Sequence, residues 1–417
     1  MGYFIHKSAY NFTALKKDII NMKKRIIISG GGIAGITAAK LLADQGHQIT
    51  VIDKASQFNN AGFLVSLKSF GVKIMDEIGL TGNLVKESTP SEFMHWLDSS
   101  GNMIRNISYE KVNQNTNQSI LITRGGLHQV IYNNVKSAIN IIFGTTITEL
   151  QQRGHKVIVT LSNGKVIDAD LVVVSEGLRS STRTKYFGES QLEDFNLLYM
   201  GGRLKEKHPY TVGTVKTYLD INKMLSIYPV SNEEVAIQCY IYNVDELANI
   251  HSNAKQLLKK TFENYNSEVQ HLIDGFLKEG LMFVDKMGMV HAPNLVKGHV
   301  VLLGDAGYCP TALSGMGASL SIYGAKALSH FLARSPDDLA VSLENYNALM
   351  QPIIKKFQAN ARNNAQSFIP RNEADLIRFT RLFSAASDAE VSKMMTEQLV
   401  LTEDQIKFTL NLNNNEI

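Results

Sequence analysis

Glycine stands at 30, 31, 32 and 35, and Asp53 closes the next apolar run. Gly30, Gly32 and Gly35 satisfy G-x-G-x-x-G, a spacing with mechanical meaning. The first glycine permits a tight turn, the second lets backbone approach a pyrophosphate, and the third lets a helix pack closely on a strand. Ala34 opens that helix, whose free N–H groups and partial positive charge face the phosphates. A carboxylate at Asp53 can accept both ribose hydroxyls of an adenosine and would repel a 2′-phosphate. The pattern therefore reads as a site for FAD or NAD. It does not choose between them.

A second group of residues makes the choice. "GHVVLLGDAGYCPTALSGMG", Gly298 to Gly317, ends an apolar strand in Gly304-Asp305 and opens a long small-residue helix at Gly315-Met316-Gly317. An acid at a strand's C-terminal edge can hold a polyol such as the ribityl chain of a flavin. A glycine-rich helix start can set N–H groups and dipole against the pyrimidine edge, which becomes negative on reduction. Between the two groups lies "DADLVVVSEGLRSSTR", a buried strand followed by a Glu176-Gly177 turn.

These residues require particular elements to position them. Ile26–Ile28, Gln48–Ile52, Leu171–Val174 and Val300–Leu303 read as strands of a parallel sheet buried on both faces. Ala34–Gln45 reads as the helix after the glycine turn, ended by Gly46. Alternating segments between Phe195 and Asp285, and a hairpin over Ser91–Ser108 turning at Ser100-Gly101-Asn102, predict a second sheet. From Ser335–Asp338 onward the chain reads as helical, first across Pro352 and then from Ala374 to about Gln398. The expected fold is α/β: a Rossmann-like FAD-binding domain with an inserted mixed-sheet substrate domain and C-terminal helices. Its boundaries are expected at 25–90, 109–190 and 286–335 for the FAD-binding domain. The substrate sheet takes 91–108 and 191–285, the helical region 336–417, and 1–24 is an extension.

In this order the three stretches resemble the GxGxxG, DG and GD motifs of the class A flavin-dependent monooxygenases, the p-hydroxybenzoate-hydroxylase-like family. "GDAGYCPTALSGMG" with its helical C-terminus most resembles the tetracycline-inactivating branch. The resemblance implies that Gly30, Gly32, Ile33, Ala34, Gly35, Asp53, Gly304, Asp305, Gly315 and Gly317 bind FAD. It adds Arg124 of "ILITRGGLHQVI" as a flavin contact, with Leu127 and Ile131 on the core face. It implies a substrate cavity under the second sheet, for which Tyr199, Arg203, Tyr218, Tyr228, Gln238, Tyr240 and Pro310 are candidates. The pattern departs from the family's at Glu176, where Asp is usual, and at Thr311-Ala312, where a second proline is common. Met316 replaces a frequent Gln, and Asn59 and Asn60 stand where an Arg is usual. These departures bear on NADPH use more than on flavin binding.

The implied activity is hydroxylation of an aromatic or enolic polycyclic substrate, tetracycline-like or polyketide, through a flavin C4a-hydroperoxide. NADPH or NADH is the transient reductant and O2 the co-substrate, and no second GxGxxG is needed. A small aromatic acid would call for arginine in the substrate sheet, and Arg203 is the single arginine between Phe195 and Asp285. No catalytic side chain is indicated. A flavin oxidase or dehydrogenase on the same scaffold, and a non-catalytic flavin-containing binding protein, remain as alternatives.

Bulk properties set the outer limits. With 417 residues, 44% hydrophobic and 19% charged, the chain suits a soluble multidomain protein. A net charge of +3 with scattered Lys and Arg argues against nucleic acid as a partner. Two cysteines, Cys239 and Cys309, make neither a disulfide framework nor a zinc site. No apolar run is long enough for a bilayer, and the first 24 residues lack the features of a signal peptide. A cytoplasmic monomer with no metal and no membrane partner is expected.

Overall fold

The computed structural model describes residues 23–58, 64–113, 119–188, 191–242, 250–367 and 369–396, with Leu401 and Gln405. The expected N-terminal extension, apart from its last two residues, lies outside these. So do Asn59, Asn60 and most of the Asn-rich tail.

The first layer is a six-stranded sheet. Its order runs Val296–Lys297, Val300–Leu302, Leu171–Val174, Arg25–Ser29, Gln48–Ile52, Asn140–Ile142. All pairs are parallel except the edge strand Val296–Lys297. The β-branched runs fill both faces: Ile28, Val173 and Val301 are fully buried. Helices Ile33–Asp44, Arg124–Val135 and Gly317–Arg334 supply the cover, with Leu42, Leu127, Ile131 and Leu328 at zero exposure. Three neighbouring strands, Leu171–Val174, Arg25–Ser29 and Val300–Leu302, end at Glu176, Gly30 and Asp305 respectively. Parallel pairing therefore brings the three sequence motifs to one edge, where open α/β sheets bind ligands.

The second layer is a seven-stranded sheet. Its order is Leu281–His291, Gln191–Leu204, Glu234–Tyr242, Lys223–Ser231, Gly213–Asp220, Ser91–Leu97, Met103–Ser108. The hairpin over 91–108 joins it through a parallel pairing with Gly213–Asp220. Asp98 fixes that hairpin's turn by accepting N–H bonds from Ser100 and Asn102. The sheet continues past the expected limit at 285, because Leu281–His291 pairs antiparallel with Gln191–Leu204 along its length.

Two helices inside this region, Ile250–Thr261 and Ser267–Lys278, have no counterpart in the sequence reading, which saw only strands there. Their apolar stripes, with Leu258, Val269, Ile273 and Phe276 buried, cover one face of the sheet. The other face turns toward Leu313 of the loop after Asp305 and toward Phe383 and Val391 of the C-terminal helices.

The C-terminal helices bind both layers. Leu339–Ser367 carries Pro352 in its interior, and its start is fixed by Asp338, which accepts the Val341 N–H at 3.0 Å. The stretch after Pro370 forms two helices, Glu373–Ala385 and Asp388–Thr396, broken at Ala386. Arg105 of the hairpin donates to the carbonyls of Phe383, Ser384 and Ala386 and pairs with Asp388. A cation at the last turn of a helix satisfies its free carbonyls and its dipole.

Candidate cofactor and substrate site

The glycine turn is built from tight and open positions. Gly30 has φ +99°, and a β-carbon there would collide with the carbonyl of Ser175. One on Gly35 would collide with the carbonyl of Gly30. Gly32 differs: its β-carbon would meet nothing nearer than Arg124 Nη2, at 3.9 Å. The first and third glycines thus serve the protein's own packing, while the second faces free space. That is the distribution a close-approaching pyrophosphate requires.

The acid at Asp53 is part of the turn's own structure. Its Oδ2 accepts the Gly31 N–H at 2.7 Å and its Oδ1 the Ala55 N–H at 2.8 Å. His128, from the helix that Arg124 begins, donates from Nε2 to the Gly31 carbonyl at 2.7 Å. Burial pushes the imidazole pKa down, so the ring is held neutral. Phe58 packs edge-on against His128, Tyr132 and Phe143 and closes the outer side of Gly31.

Glu176 is a structural hub. Its carboxylate accepts the hydroxyls of Ser29 at 2.6 Å, Ser180 at 2.7 Å and Thr182 at 2.5 Å, and the Thr182 N–H at 3.1 Å. The longer arm of Glu reaches back to the strand that feeds the glycine turn. Beside it, the Ser175 hydroxyl donates to the Gly30 carbonyl at 2.8 Å. Buried Arg183 donates to the Ala306 carbonyl at 3.0 Å and so links this loop to the turn after Asp305.

Gly304 has φ +64°, and a β-carbon there would stand 2.6 Å from that of Ala34 and 3.1 Å from Ser321 Oγ. Asp305 follows. Burial raises its pKa, and the nearby Arg124 guanidinium opposes that rise. Arg124 therefore lies within electrostatic reach of Asp305 and close to Gly32, so the first and third motifs meet around one side chain. Gly315, at φ +63°, and Gly317 both face open space. The helix Gly317–Arg334 begins there with no side chain capping its N–H groups.

The loop between carries strain. Thr311 sits at φ +62° and ψ +162°, a region that β-branched residues avoid and that proline, fixed near −65°, cannot enter. Its hydroxyl accepts the Leu313 N–H at 3.1 Å, and its carbonyl accepts the Ser314 hydroxyl at 2.9 Å. Asn364 donates to the Leu313 carbonyl at 2.9 Å from the long helix. Buried Pro310 begins this loop.

Facing it, the second sheet presents a polar cluster. Gln238 accepts the Tyr228 hydroxyl at 3.0 Å and donates to the hydroxyls of Tyr199 at 2.9 Å and Tyr240 at 2.7 Å. The Tyr199 and Tyr240 rings lie 5.1 Å apart. Burial raises the pKa of all three phenols, that of Tyr228 to about 12, so each keeps its proton. Tyr109, absent from the sequence candidates, stands near Tyr228 and is shifted in the same direction.

Tyr218 lies apart from this cluster. Tyr218 is in register with Leu225, Cys239 and Met200 on the helix-covered face, and its hydroxyl donates to Glu268 at 3.4 Å. Arg203 shares the cluster's face and the row of Ala236 and Tyr228, but it is paired with Glu234 at 2.5 Å.

A sequence model of FAD binding domains matches residues 23–361. The chain belongs to this family. It is an FAD-dependent monooxygenase of class A. A flavin-dependent monooxygenase of Legionella longbeachae is 25% identical over 362 residues, covering 84% of this chain and 90% of the relative. The tetracycline destructase Tet(51) has a similar structure, with TM-score 0.75 at 20% identity over 90% of this chain and 99% of that one. Klebsiella pneumoniae HpxO, solved with FAD and uric acid, has TM-score 0.78 at 20% identity over 92% and 97%.

The residues present are compatible in shape and charge with a bound flavin. Gly32, Gly315 and Gly317 each have open space where a β-carbon would stand, the helix Gly317–Arg334 begins without a side-chain cap, and Arg124 puts positive charge near Gly32. Sequence reasoning missed Ser175 and His128, which bond to the glycine turn, and Arg183, which bonds to the turn after Asp305. All three lie inside the quoted stretches, Ser175 and Arg183 in the second motif and His128 beside Arg124, but no local pattern marked them. Among the described residues no cluster suits a metal ion, and no helix is long and apolar enough to cross a membrane.

Proposed function

We propose that the monooxygenase inserts oxygen into an uncharged or weakly charged, electron-rich phenol or enol, of polycyclic, tetracycline-like or polyketide type. The supporting observation is the Tyr199–Gln238–Tyr240–Tyr228 network on the sheet face opposite Leu313. When bound, FAD supplies the redox chemistry, taking a hydride from NADPH or NADH and activating O2.

The chain's own residues do the rest. Gly30–Gly35, Asp53, Arg124, Gly304, Asp305, Gly315 and Gly317 are the residues proposed to hold the cofactor. Neutral phenols and the Gln238 amide offer both donors and acceptors to the oxygens of an enol or phenol. Buried Trp96, Met224, Leu313 and Phe383 around them keep water away, which a reactive oxygen donor requires. Arg203 is neutralised by Glu234, so it offers no free cation to a substrate carboxylate. That argues for a substrate recognised by shape and hydrogen bonds, not by charge.

The test is direct. Purified protein is yellow, its NADPH or NADH consumption rises with the right tetracycline, phenol or polyketide, and the product gains one oxygen in mass. Absence of stimulation and of oxygenated product across all three classes refutes the proposal. Flavin reduction by substrate alone, without a nicotinamide, would assign an oxidase or dehydrogenase.

A further inference from the structure

Lys68 lies outside the residues proposed to hold the cofactor. It follows the strand Leu64–Leu67, whose antiparallel partner Ile120–Thr123 runs directly into Arg124. Its backbone N–H donates to Ser319 Oγ at 2.9 Å, in the first turn of the helix Gly317–Arg334. Gly71 holds the same contact closed, since a β-carbon there would stand 2.8 Å from that oxygen. Residue 68 is therefore pinned at the N-terminal end of the helix whose opening glycines face empty space.

The charge there is unbalanced. Burial alone pushes the Lys68 pKa down to about 8, with no carboxylate contributing. Among the described residues Lys68 enters no salt bridge. The adjacent helix end carries partial positive charge of the same sign. A buried ammonium without a counter-ion is costly, and an arrangement that keeps one calls for an anion from outside the chain. The residue is partly exposed, not fully enclosed.

We propose that Lys68 supplies the counter-charge for the reduced isoalloxazine of bound FAD. Hydride uptake brings two electrons and one proton to the ring and leaves it with one negative charge. Lys68 and the Gly317 helix end together favour that anion over the neutral oxidised form. The inference rests on the flavin lying at Gly315–Gly317.

The experiment compares FAD-loaded wild type with Lys68→Met, Lys68→Gln and Lys68→Arg. Flavin content and affinity for oxidised FAD are read by fluorescence, and the midpoint potential by spectroelectrochemical titration. Oxidised FAD is expected to bind all four proteins comparably. The Met and Gln variants lose about tenfold in the relative affinity for reduced flavin, a fall in potential of about 30 mV. Lys68→Arg keeps the wild-type potential. A wild-type potential in Lys68→Met overturns the proposal, and if that variant does not fold, the same result in Lys68→Gln does so. Wild-type protein that holds no flavin refutes the underlying site assignment instead, so the two failures are told apart.

Discussion

Gly35 and Gly30 touch so closely that a β-carbon on the first would overlap the carbonyl oxygen of the second. Gly32, between them, has ordinary φ of −68° and open space where its β-carbon would go. One motif thus contains two kinds of glycine, and substitution separates them.

Gly35→Ala is expected to destabilise the apoprotein by about 3 kcal/mol, the cost of forcing a methyl into a packed interface. Gly32→Val leaves the apoprotein's thermal midpoint unchanged and lowers FAD affinity at least tenfold. Melting curves of apoprotein and flavin titration read the two effects. Equal loss of stability in both variants would contradict the distinction.

Glu176 ties the strand Arg25–Ser29 to the loop at Ser180–Thr182 through four accepted hydrogen bonds. Glu176→Ala strands these donors and is expected to cost about 2–4 kcal/mol. Glu176→Asp keeps the charge but shortens the arm, and so recovers only part of the loss. Denaturant unfolding of the apoprotein measures both.

Gln238 joins the buried phenols of Tyr199 and Tyr240 to the half-buried Tyr228. Replacing it with Leu, near in volume, leaves the hydroxyls of Tyr199, Tyr228 and Tyr240 without that partner, at about 1–3 kcal/mol in stability. Tyr218→Phe, on the opposite face, leaves substrate-stimulated NAD(P)H oxidation intact, whereas Gln238→Leu abolishes it. Steady-state assays of both variants with the same substrate check the contrast.

Glu193 links the second sheet to the helix Leu339–Ser367 by accepting from Arg362 and His291. The Arg362 guanidinium, then His291, holds its carboxyl below the usual carboxylate range. A depressed folded-state pKa gives stability that is present above the unfolded value and is lost as pH falls through the folded one. Wild type therefore loses stability as pH drops below about 4.3, the reference value for Glu. Glu193→Gln is expected to show a shallower acid-side slope in denaturant titrations between neutral and acid pH. Identical slopes would refute a role for the pair.

The sequence by itself determined the nucleotide-binding half. Its signals are local: glycines at fixed spacing, β-branched runs before them, and acids at strand ends, each dictated by backbone geometry within a few residues. Thus Gly30, Gly35 and Gly304 could be read one motif at a time. The second sheet was legible as strands, but the helices Ile250–Thr261 and Ser267–Lys278 were not. Nor was the face on which each tyrosine would fall. Strand parity and register decide that, and register depends on partners far along the chain. Tyr199 and Tyr240 came to lie in one row with Met224, while Tyr218 joined the row of Leu225 and Cys239. Only the tertiary structure could bring Arg124 beside Gly32, pin Lys68 to Ser319, and neutralise Arg203 with Glu234. Each of these is a pairing of distant residues, created by packing and carried by no local pattern.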